Sequence, residues 1–121
     1  MTLVISPSDD LRSTQDWVDV CAFDRLIPGR GVCALVGLHQ VAVYRVGADD
    51  VYALSNYDPF SRANVLSRGI VGSKGDRTKV ASPVYKQSFD LETGECIDDP
   101  AVSVPTFEVR VSDGVVQVAT P

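Results

Sequence analysis

The chain is short of the residues on which most site chemistry depends. Its 121 residues include one histidine and three cysteines. A Ser–His or Cys–His pair for nucleophilic catalysis could use only His39. That residue lies in Gly37-Leu38-His39 and reads as a solvated turn residue. Cys21, Cys33 and Cys96 are odd in number, widely spaced and without a C-x-x-C, which makes a poor disulfide framework. They read as reduced, mostly buried thiols, the state expected in the cytoplasm. No apolar run approaches the ~20 residues of a membrane-spanning helix. Met1 to Ser13 lacks a basic stretch followed by an apolar core, so residues 1–14 are expected to be a loose N-terminal segment rather than a leader. Positive charge is scarce too: 11 Lys and Arg against 16 Asp and Glu give a net charge of −5 and a pI near 4.6. That balance argues against a nucleic-acid or anionic-membrane surface. There is no internal repeat, no linker and no long amphipathic helical pattern.

What is present is a series of short alternating runs divided by Gly, Asp and Pro, the pattern of an antiparallel β domain. The length fits a single domain, expected over residues 15–121. Trp17 to Ala22 reads as a first strand, and Asp24 to Gly31 (DRLIPGRG) as a loop. Gly31 to Val36 and Gln40 to Val46 read as a hairpin, the second strand covered on both faces. Val51 to Leu54 is a further strand. Near the C-terminus, Phe107 to Ser112 and Val115 to Ala119 flank Asp113-Gly114, a dipeptide suited to a tight turn with positive φ. Asp90 to Glu95 is another turn, with Gly94 at its left-handed position.

Two loops carry the information. One begins Asn56-Tyr57-Asp58-Pro59, and the other is Ser82-Pro83-Val84-Tyr85-Lys86-Gln87-Ser88-Phe89-Asp90. The second, followed by Leu91-Glu92-Thr93-Gly94, resembles the C-P-x-H-G-x-x-F-D and L-x-T-G motifs of Rieske ferredoxin domains, and the first stands where such domains carry C-x-H. Pro105 to Val118 resembles their closing hairpin. The resemblance implies an all-β, Rieske-like sandwich or barrel of short strands with little helix. It also implies that Asn56, Asp58, Ser82 and Tyr85 occupy the four cluster-ligand positions. A Rieske centre needs two thiolates on one iron and two imidazoles on the other, and an amide, a carboxylate, a hydroxyl and a phenol do not supply them. The segments DPFSRANVLSRGIVG and SPVYKQSFDLETGECIDDP are similar to the small subunit of assimilatory NAD(P)H-dependent nitrite reductase, a Rieske-like family without the cluster. What that similarity implies is a cytoplasmic subunit of an oxidoreductase in nitrate and nitrite assimilation, with no catalytic residue, metal or cofactor of its own. Its partner would be a large subunit carrying FAD, an iron–sulfur cluster and siroheme. A Rieske-type ferredoxin and a free-standing binding module are the alternatives.

Residue by residue, Asp58 before Pro59 suits an Asx-type turn in which its carboxylate accepts backbone N–H groups. Tyr85 is expected to fill the volume of the missing cluster and pack the two loops together. Cys96 reads as a buried thiol. For a partner interface, the expected residues are Pro59, Phe60 and Arg62 with Arg68, Lys74 and Lys86, the basic ones on or beside a long loop from Arg62 to Arg77. Phe60 is either an exposed knob or a core residue.

Overall fold

A computed structural model describes residues 16–120. The segment 1–14, expected to be loose, lies outside them. The central layer is an antiparallel sheet of β2 (Gly31–Val36), β3 (His39–Val46) and β4 (Asp50–Ser55). Strand β3 is covered on both sides, as its unbroken apolar run predicts. Its Val41 and Val43 pack with Leu26, Val36, Ala53, Val116 and Val118. Its Ala42 and Tyr44 face the other way, toward Leu54, Leu66, Val80, Phe89 and Leu91. Two apolar cores therefore flank one sheet.

The outer layer on the Val41 side joins the ends of the described chain. It consists of β1 (Trp17–Ala22), paired with β11 (Val115–Ala119), and β10 (Val109–Ser112) on the far edge. The Asp113-Gly114 turn has positive φ at both residues, as read from the sequence. The Tyr44 side is closed by β7 (Ile70–Lys74), β8 (Arg77–Ala81) and β9 (Ser88–Asp90), while the two-residue strands β5 (Tyr57–Asp58) and β6 (Ala63–Asn64) shape the first loop.

Three expectations change. The span from Arg62 to Arg77 is not a long loop, because β6, a 3-10 turn at Leu66–Arg68 and β7 occupy most of it. Its alternation is masked by small and charged residues, since the β7 side chains lie largely in solvent. His39 is the first residue of β3, and its ring lies 5.8 Å from that of Phe107. Only Cys96 is fully buried; Cys21 is half-buried and Cys33 exposed. Period-two alternation turns Cys33 and Leu35 away from Val36, which is in the core.

The Asp90 turn is built as expected. Gly94 has φ +81°, and the Asp90 carboxylate accepts the N–H groups of Glu92 and Thr93 and an Arg77 Nε–H at 2.7 Å. Burial pushes the Asp90 carboxyl up, but these bonds outweigh it and hold it below the usual carboxylate range. The Arg77 fork also reaches Glu95 at 2.7 Å, tying β8 to this turn.

Candidate functional site: two latched loops

The first loop leaves β4 at Asn56, whose side chain is 2% exposed. Its Oδ1 accepts the Ser67 N–H at 2.7 Å, its backbone N–H donates to the Gln40 carbonyl and its carbonyl accepts the Leu66 N–H. The Asn56 amide also lies 3.4 Å from Cys33 Sγ and from Gln40 Oε1. Asn56 thus fastens the loop to the β2–β3 hairpin on one side and to the Leu66–Arg68 turn on the other.

Two residues on, Asp58 is fully buried. Its Oδ1 accepts the Phe60 N–H at 2.9 Å, the Asx turn read from Asp58-Pro59. Its Oδ2 accepts the Ser61 hydroxyl at 2.8 Å and the Ser82 hydroxyl at 2.5 Å. Burial pushes the Asp58 carboxyl up, yet the bonds from Ser82, the Phe60 N–H and Ser61 prevail and keep it below the usual carboxylate range. The bond to Ser82 joins the two loops across 24 residues of sequence. Three donors thus occupy most of the acceptor sites of this carboxylate.

Tyr85 does not fill the space between the loops. It is 62% exposed, and the Asp58–Ser82 bond closes the gap in its place. A short hydrogen bond brings the loops nearer than a ring between them would, so the ring turns outward. Phe60 is a half-buried core residue rather than a free knob, its ring 6.1 Å from that of Phe89.

The two loops are built alike. In each, a buried polar residue is followed by proline, and the N–H of the fifth residue returns to the carbonyl of the first: Arg62 to Asp58 at 2.7 Å, Lys86 to Ser82 at 3.1 Å. Both fifth residues have positive φ, 60° and 67°. Apart from Asp113 they are the only non-glycine residues among those described that do. Such a conformation costs about 1 kcal/mol or more without glycine and concentrates at functional sites. The structure therefore gathers Pro59, Phe60, Arg62 and Lys86 at one end of the molecule, with Arg68 behind Asn56. Lys74 is not among them: Ile70 pairs with Ala81 beside the second loop, and Lys74, four residues along β7, is about 13 Å away.

A [2Fe–2S] cluster does not fit this donor set. Asn56 and Asp58 are consumed by protein hydrogen bonds, Ser82 donates to Asp58, and Tyr85 points outward. Cys96 lies in the core among Leu54, Leu66 and Phe89. Among the described residues, no three His, Cys, Asp or Glu side chains converge as a metal site.

Comparison with known proteins agrees with the fold. Residues 16–119 match the Rieske-like [2Fe–2S] domain family. The nitrite reductase (NADH) small subunit of Escherichia coli K12 is 48% identical over 103 residues, covering 84% of this chain and 95% of that protein. A segment of the nitrite reductase [NAD(P)H] large subunit of Klebsiella oxytoca is 40% identical over 105 residues, which is 87% of this chain but 11% of that protein. Among solved structures, one from Mycobacterium tuberculosis, assigned as an NADH-dependent nitrite reductase small subunit, superposes with a TM-score of 0.87 at 50% identity, covering 90% of this chain and 98% of that one. The ferredoxin of carbazole 1,9a-dioxygenase from Nocardioides aromaticivorans superposes at 0.76 with 29% identity, covering 90% of this chain and all of that one.

Proposed function

The chain belongs to the Rieske-like domain family, among the nitrite reductase small subunits, and from that premise we propose that it is the non-catalytic small subunit of a cytoplasmic NAD(P)H-dependent nitrite reductase. The large subunit carries FAD, an iron–sulfur cluster and siroheme and reduces nitrite to ammonium. This chain binds that subunit through the loop end of the domain, where Pro59, Phe60, Arg62 and Lys86 lie, and supports its activity without passing electrons. Residues 15–121 act as one domain. The observation that supports this reading is the Asp58–Ser82 bond at 2.5 Å, which joins two of the residues that the resemblance to Rieske domains puts at cluster-ligand positions. The protein contributes a fold that holds its loops in place without iron, and a surface for another protein.

The likeness to a dioxygenase ferredoxin favours a second reading, an electron carrier. The ligand set speaks against it. The two part in one experiment: the chain, purified without oxygen from iron-supplied cells, is assayed for iron and acid-labile sulfide and mixed with its large subunit on a sizing column. The expected result is no stoichiometric iron or sulfide and a complex of fixed ratio. Two irons and two sulfides per chain would establish the carrier instead. Absence of a complex would remove the subunit role and leave the fold.

A further inference from the structure

The apolar surface of the described chain is unevenly spread. Eight large apolar side chains are exposed. Five of them, Leu35, Leu38, Tyr57, Val84 and Tyr85, belong to three segments that meet at one end of the molecule. The hydrogen bonds already described fix this meeting. Leu35 pairs with Gln40 across the β2–β3 hairpin, and Gln40 accepts the Asn56 N–H. Leu35, Gln40 and Asn56 thus form a cross-strand row on one face of the central sheet, the face that carries the loops. Leu38, at the hairpin tip, is 98% exposed. Tyr57 precedes the buried Asp58, and Val84 and Tyr85 follow Ser82, which is bonded to it.

Charge at this end differs from that of the whole chain. Against a net charge of −5, the exposed charges on the two loops are cations, Arg62 and Lys86. Asp58 keeps its negative charge but is buried among hydrogen-bond donors, and the exposed Asp98 carboxylate behind the second loop accepts the Ser88 N–H at 2.7 Å. Both cations sit on backbone with positive φ at the fifth position of matching turns.

We propose that the β2–β3 hairpin tip and the two loops form one docking surface for the large subunit, with Leu35 and Leu38 in its apolar centre and Arg62 and Lys86 as its cationic rim. The inference rests on the subunit reading above and adds the hairpin to it. The occupant is a large-subunit surface with an apolar middle edged by carboxylates. The Klebsiella oxytoca relative supports that choice, because there a segment like nearly all of this chain is built into a large subunit. Exposed apolar groups with a polar rim are the usual anatomy of a protein-binding patch.

The test measures affinity for the purified large subunit with four variants of the full chain: Leu38→Asp, Arg62→Glu, Lys86→Glu and, as a control, Ile27→Asp. Ile27 is 57% exposed and lies near Arg45, at the opposite end of the hairpin from Leu38. All four positions face solvent, so the melting temperatures should stay close to that of the wild type. Leu38→Asp and each charge reversal should weaken binding about tenfold or more, and the charge reversals should flatten its salt dependence. Ile27→Asp should change it less than about twofold. Wild-type affinity in Leu38→Asp, or a loss in the Ile27 control as large as in the tip variants, would overturn the docking surface while leaving the subunit role intact. No binding by the wild-type chain would overturn the subunit role itself, and the surface with it.

Discussion

Asp58 joins the two loops through hydrogen bonds. Its carboxylate gathers a backbone N–H and two hydroxyls, one from the opposite loop. Charge-assisted bonds of this kind are each worth roughly 1.5–3 kcal/mol net. Asp58→Ala should therefore destabilise the chain by about 3 kcal/mol or more, since it also leaves the Ser82 hydroxyl buried and unpaired. Asp58→Asn keeps the shape and one acceptor and should cost about half as much. The pH dependence has a definite sign. The folded carboxyl titrates below its ordinary 3.8. Its stabilisation is thus present above that value and fades as pH falls through the lower folded pKa. Urea unfolding of wild type and Asp58→Asn should show a gap at pH 7 that narrows below about pH 4. Asp90 titrates in both proteins and cancels. A gap independent of pH would mean that the charge of Asp58 contributes nothing. Half of this was legible in the sequence. Asp before Pro announced the Asx turn, because that bond is local. The bond to Ser82 was not, since residues 24 apart meet only through the fold. Tyr85 misled because volume alone suggested it, whereas a short polar bond leaves no room for a ring.

At the scale of the element, the two loops are the same device used twice. Asp58-Pro59-Phe60-Ser61-Arg62 and Ser82-Pro83-Val84-Tyr85-Lys86 share a polar start, a proline and a basic end, and fold into matching five-residue turns. That likeness stands in the sequence as two Pro-containing pentapeptides ending in a cation. A search for thiol and imidazole positions passes over it, because it compares the loops with a ligand pattern instead of with each other. The positive φ at Arg62 and Lys86 yields a prediction. Glycine relieves the strain but loosens the unfolded chain, so Arg62→Gly and Lys86→Gly should leave stability unchanged or raise it by up to about 1 kcal/mol. Each should also weaken the complex with the large subunit by removing a rim cation. Thermal melts paired with affinity measurements check this. A fall of several degrees in either melt would show that these side chains are structural. The strands were read more fully than the loops, since alternation reports burial directly: β1, β2 and β11 fall where it put them, and β10 begins at Val109, two residues later than the Phe107 it suggested. The β7–β8 hairpin escaped because its solvent face breaks the alternation.

For the whole molecule, what is shown is the Rieske-like architecture. Two cores flank one sheet; the Val41-side core takes no side chain from the two loops, while the Tyr44-side core takes Phe60 and Phe89 from them. The sequence left open where the exposed apolar groups lie, because Leu35 and Leu38 are distant in sequence from both loops and reach them only through the pairing of β2, β3 and the end of β4. Under the docking proposal, this small acidic domain, with exposed apolar groups and two cations at one end, offers a surface to a larger protein. The most direct test is NADH- and NADPH-driven nitrite reduction by the purified large subunit, titrated with this chain. The account predicts a saturable rise in rate or in active lifetime that levels off at a fixed ratio of the two subunits, produced by protein free of iron. A rate indifferent to the chain, or a rise that depends on iron bound to it, would contradict it.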